Sequence, residues 1–183
     1  MSTRSDIMNI ANQLVLSRGY NAFSFADISG SLGIKKASIH YHFPTKTALG
    51  RALIRQHEQS AIELFEHNKH SPPVERLVAF FSNYESRKVD DQVCLVGSLA
   101  TDLRTVEVEI QEDMKSLAAV ILNGLSDILE DGKKIGAFTF NEDSRTKALM
   151  IITNLLGALQ VSRLTGDHDF YQIKNTILEN ITT

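Results

Sequence analysis

Lys35, Lys36, Ser38, His40, Tyr41, His42 and Lys46 place a run of hydrogen-bond donors within one short stretch, and no carboxylate stands among them. That chemistry suits recognition. Short donors on a helix can meet base edges in the major groove of duplex DNA. Basic and hydroxyl groups on its flanks can meet phosphates. Lysines on a helix face are ordinarily just solvated, so the argument turns on the elements around them.

Those elements are two short helices and a tight turn. Ser24 is a good N-cap, and Asp27 puts a carboxylate in the first turn, where the helix dipole favours it. Phe25, Ile28, Ser29 and Leu32 fall at helical spacing. Gly33 stops that helix because the turn needs an open or left-handed φ, and Ile34 plugs the turn. Lys35 and Lys36 open the second helix, with Ile39 and Phe43 facing inward. Pro44 ends it, and Lys46 starts the next. This is the layout of a helix-turn-helix reader of DNA. Ser24 and nearby backbone amides add phosphate donors. Residues 3–19 supply a supporting helix with an apolar stripe at Ile7, Ile10, Ala11, Leu14 and Val15, and Gly19 terminates it. Tyr20 and Phe23 should pack under the head. Arg4 is either a phosphate contact or a solvated terminal residue.

Residues 24–49 resemble the DNA-binding signature of TetR-family transcriptional repressors. The resemblance rests on Ser24, Ile28, Gly33–Ile34, Ser38, the aromatic run ending at Phe43, and Lys46 with Leu49. The sequence departs from the usual pattern at Ser29, Gly30, Ala37 and His40. Gly30 should weaken the first helix by up to about 1 kcal/mol relative to Ala. The resemblance implies an all-α fold of about nine helices. Residues 1–46 would form a three-helix DNA-binding domain, and 47–183 a helical ligand-binding and dimerisation domain. It also implies a repressor with a double-stranded DNA operator as partner. The alternative is an all-α ligand-binding or scaffolding protein without DNA binding.

Charge distribution agrees with a reader at one end. Net charge is −3, yet residues 1–50 hold five basic residues (Arg4, Arg18, Lys35, Lys36, Lys46) against Asp6 and Asp27, a balance of +3. The remainder therefore carries −3 − 3 = −6. One cysteine excludes an intramolecular disulfide and suits a reducing cytoplasm. No leader-like segment is expected, and no apolar run approaching the roughly 20 residues that span a bilayer.

The body reads as helices over about 46–67, 74–87, 94–103, 106–130, 142–164 and 167–181. Pro72 and Pro73 enforce the first break. The stretch DGKKIGAFTFNED reads as a turn-rich link. KALMIITNLLGALQVSRL is apolar nearly all round, which suits a helix shared between a core and a partner. With the last helix it suggests a homodimer built as a four-helix bundle.

The resemblance further implies a small-molecule inducer, hydrophobic or electrophilic. Phe80, Phe81, Tyr84, Leu99, Met114, Leu117 and Ile121 are candidate lining, although apolar residues at helical spacing are ordinarily core. CLVGSLATDL resembles a segment of the NemR-like, electrophile-responsive branch of the family. Cys94 is therefore either a reactive thiol or a small buried residue. The histidines give no metal spacing, and no metal or cofactor is expected. A nucleotide-binding glycine loop, a nucleophile elbow and H-E-x-x-H are all missing, so no enzymatic activity is expected.

Overall fold

The computed structural model describes residues 3–182. Met1, Ser2 and Thr183, which bound the expected domains, lie outside the described residues. Among the latter are nine helices: α1 Thr3–Arg18, α2 Phe25–Leu32, α3 Lys36–His42, α4 Lys46–His67, α5 Pro73–Val89, α6 Leu95–Asp102, α7 Val108–Lys134, α8 Ser144–Thr165 and α9 Asp167–Glu179. The expected all-α class holds. An isolated bridge between Phe138 and Thr182 is the β-type pairing present among the described residues.

The chain divides into two compact units. One comprises Met1–Glu58 and Leu95–Leu117, the other Gln59–Cys94 and Ala118–Thr183. In the first, α1, α2 and α3 pack on one another, and α6 packs on α1. Ile7, Ala11, Val15, Ile28, Ile39, Leu49 and Leu53 are essentially inaccessible. Ser98 of α6 donates to the Val15 carbonyl at 3.0 Å. Asn21 donates through its backbone N–H to Asp102 at 3.3 Å and through Nδ2 to Thr105 at 2.8 Å. The end of α6 thereby grips the loop that leads into α2.

In the second unit, α8 and α9 pack together and both meet α5. Ion pairs tie the end of α5 to them: Lys88 with Asp167 at 2.6 Å, Asp91 with Arg163 at 3.0 Å, and Glu85 with Lys174. Lys88 is buried, so its exposed partner Asp167 holds the charge that burial alone would disfavour. Asp91 has a φ of 50°, a left-handed conformation uncommon for a residue other than glycine, and Arg163 grips both its carboxylate and its carbonyl.

Boundaries differ from the sequence reading at several helix ends. Helix α5 runs on to Val89, because Lys88 finds its ion pair there instead of entering a polar loop. Helix α7 starts at Val108 and continues to Lys134, past the expected stop near Glu130. Gly132, a turn signal by residue type alone, is a close-packing position: a Cβ there would lie 2.0 Å from Cδ2 of the buried Phe138. Helix α8, against expectation, is long and apolar enough by composition to cross a membrane. Its charges, Arg145, Lys147 and Arg163, stand near the ends. One face, Ala148, Ile151, Leu155, Ala158 and Leu159, is buried. Leu149, Met150, Val161 and Leu164 remain exposed, Leu164 at 89%.

Gly132→Ala should destabilise the protein by about 1–3 kcal/mol, since Phe138 has no room to yield. Urea denaturation of the variant measures it. An unchanged midpoint would show that α7 and Phe138 separate readily.

Candidate nucleic-acid interface

Helix α2 is set by a reciprocal cap. The Ser24 side chain accepts from the Ala26 N–H at 3.2 Å and donates to Asp27 at 2.7 Å, while the Ser24 backbone N–H also donates to Asp27 at 2.7 Å. These hydrogen bonds from Ser24 hold the Asp27 carboxyl below its usual range. Gly33 closes α2 at φ 65°, with its N–H bonded to the Ser29 carbonyl, and the turn delivers the chain to α3.

The expected donors fall into three groups. Lys35, Lys36 and Tyr41 are exposed, Tyr41 at 84%, and no hydrogen bond or ion pair engages their side chains among the described residues. Ser38 and His42 are half-buried, and the His42 ring meets Tyr41 at 5.1 Å. The others are already occupied. His40 points Nδ1 at the Pro44 carbonyl, 3.2 Å away, and packs its ring edgewise on Phe25 at 5.0 Å, so it spaces α3 from α2. Ser24 serves the cap. Lys46 turns its ammonium inward to the Phe23 carbonyl at 2.6 Å, over the Tyr20 and Phe23 rings. Partial burial lowers its pKa, and the charges of Asp102, Glu107 and Asp27 oppose that shift. Burial, with Glu107 nearby, pushes the Tyr20 phenol up.

The ligand candidates divide between the two units. Leu99, Met114 and Leu117 are buried in the first. Phe80, Phe81, Tyr84 and Cys94 are buried in the second, and Ile121 is half-buried there. Phe80 gathers an aromatic cluster, with Phe81 at 6.1 Å, Tyr84 at 5.3 Å and Phe65 at 6.2 Å. Phe65 escaped the sequence reading as a member of this cluster. Its late position on α4, well beyond the head, was the available signal. Cys94 is 5% exposed. Burial, then Cys94, pushes the Tyr84 phenol well up, partly offset by Arg87. Among the described residues no group of side chains has metal-holding geometry.

A capped helix, a left-handed glycine turn and a second helix with an exposed donor row define a helix-turn-helix DNA-binding protein. The family described as "Bacterial regulatory proteins, tetR family" matches residues 7–53. A TetR-family transcriptional regulator from Agrobacterium tumefaciens is 31% identical, covering 98% of this chain and 97% of its own, with a TM-score of 0.91. A TetR transcriptional regulator from Legionella pneumophila is 32% identical over 100% of this chain and 98% of its own, with a TM-score of 0.89. The HTH-type transcriptional repressor NemR of Escherichia coli is 24% identical over 168 residues, 85% of this chain and 81% of the relative. The chain belongs to the TetR family of bacterial transcriptional regulators.

Ser24→Ala should lower stability by about 0.5–2 kcal/mol at neutral pH through loss of the cap. Asp27 has a depressed folded-state pKa, so its share is present above the unfolded value, about 3.9, and fades as pH falls through the folded one. The gap between wild type and variant should therefore narrow below about pH 4. Paired urea melts across pH test this, and a constant gap would separate the cap from Asp27 ionisation.

Proposed function

We propose that this chain is a homodimeric repressor that reads a palindromic operator with residues 24–43 and is released by a small-molecule inducer. The observation that carries the reading is the row of exposed, unengaged donors at the start and on the surface of α3, Lys35, Lys36 and Tyr41, held out by the cap and the glycine turn. Ser38, His40 and His42 complete the face toward base edges and flanking phosphates. Ser24 and its neighbouring amides, with Tyr41 and Lys46, take phosphates. For Lys46 this means exchanging the Phe23 carbonyl for the phosphate.

Functionally the division runs between residues 1–46, the reading head, and 47–183, the ligand and dimerisation part. The compact units follow a different line because α6 and the start of α7 pack with the head. Exposed Leu149, Met150, Val161 and Leu164 on α8, with Tyr171 on α9, support a dimer through these two helices. A two-fold dimer would set two reading helices about 34–36 Å apart, one turn of DNA. The protein would act in the cytoplasm.

The inducer is proposed to be hydrophobic or electrophilic. Phe80, Phe81, Tyr84, Leu99, Met114, Leu117 and Ile121 are its candidate lining. Cys94 is its candidate sensor, supported by its influence on the buried Tyr84 phenol and by the similarity to NemR.

Binding to the DNA upstream of its own gene should be specific and salt-dependent. Lys36→Ala with Tyr41→Ala should abolish it, and fluorescence anisotropy against a random duplex measures this. Equal binding to both duplexes would place the operator elsewhere, and no binding to either at low salt would instead favour the all-α ligand-binding alternative. A mild electrophile should release the wild type from DNA and leave Cys94→Ser bound. Equal release of both would make Cys94 a core residue only.

A further inference from the structure

The first unit carries a second positive surface outside the helix-turn-helix. It is an open groove of about 820 Å³ between α1, the end of α3, and α4. Met8 and Phe43, both nearly inaccessible, form its floor. Arg4, His42, Arg51 and Arg55 stand along its walls, and no carboxylate lines it. The Arg4 guanidinium lies 4.9 Å from the centre of the Phe43 ring, so its charge is set at the rim.

Arg51 is fixed from behind. Its Nε and Nη2 donate to the two oxygens of Asp113 at 2.7 and 3.3 Å. A guanidinium has five N–H donors, so this fork leaves others for the groove. The Arg55 Nε stands 3.8 Å from the same carboxylate, and its side chain is 62% exposed. Arg51 and Arg55 are one helical turn apart, about 6 Å along the axis. Asp113, Glu109 and Glu112 all act on Arg51, yet none reaches the groove wall. One carboxylate thus restrains two guanidiniums, and the wall keeps surplus positive charge.

His42 and Phe43 belong both to this groove and to the end of the reading helix. A linear polyanion lying along α3 would therefore continue past Phe43 toward Arg4 and Arg55. We propose that the groove is a second phosphate-contact surface, which takes the duplex backbone beside the bases met by α3. Arg4 and Arg55 donate to phosphates there, and Arg51, held by Asp113, fixes the wall. This inference rests on the DNA-reading function proposed above and extends the surface that performs it.

The test is the salt dependence of operator binding by the full-length protein. Arg4→Ala, Arg55→Ala and the double variant are compared with wild type. Arg55→Lys serves as the charge-retaining control, and Arg145→Ala, an exposed residue of the other compact unit, as a second control. The slope of log affinity against log salt should shrink by about 0.9 for each phosphate the variant no longer neutralises, with the operator-to-random affinity ratio unchanged. Arg55→Lys and Arg145→Ala should keep the wild-type slope. Wild-type slopes in both alanine variants and their double would overturn the groove while leaving operator reading intact. A wild type that binds no DNA would overturn both.

Discussion

The ammonium of Lys46 reaches back across 23 residues to the carbonyl of Phe23, and the position of the head depends on that bond. It joins the first residue of α4 to the last turn before α2. The Tyr20 and Phe23 rings enclose the charge, adding on the order of 1 kcal/mol each in cation–π attraction. On the other side of the same loop, Asn21 is held by Asp102 and Thr105. The short segment from Gly19 to Ser24 is thus fixed from two directions, and α2 and α3 inherit their placement from it. A polar anchor does this well because it specifies one geometry, where an apolar contact would tolerate sliding.

The second unit solves a different problem with similar means. Helix α8 carries more apolar surface than its own unit covers, and its neighbours must hold it without burying all of it. Ion pairs at the end of α5 do the holding at one end: Lys88 to Asp167, Arg163 to Asp91. They also order the residues just before Cys94, including the left-handed Asp91. The segment in front of α6 is therefore constrained by charge, and the thiol within it by burial.

Much of this was legible in the sequence, for identifiable reasons. The apolar period marks most of the helices, and α4 begins and ends where Thr45 and the NKHSPP stretch say it should. The cap at Ser24 and the turn at Gly33 are local chemistry and need no tertiary information. The end of α7 was not legible, because a helical glycine packed under Phe138 has the same letter as a turn glycine. Nor was the engagement of His40 by Pro44 or of Lys46 by Phe23, which requires knowing where a carbonyl points. The Arg51–Asp113 pair spans 62 residues, and neither residue has a local feature that names the other. Donor types were readable; which donors stand unoccupied was not.

Helix α2 has eight residues, buries one of them fully (Ile28), and carries Gly30 in its interior, where a side chain would meet nothing within 4 Å. Its order comes from the cap and the turn at its two ends more than from a core beneath it. A segment built this way opens more often than the helices around it. Its amide protons should be among the first in the head to exchange with solvent, ahead of those of α1 and α4. Whatever presses against the outer face of α2 and α3 would then slow that exchange, so the readiness of α2 to unravel makes it a native reporter of occupancy.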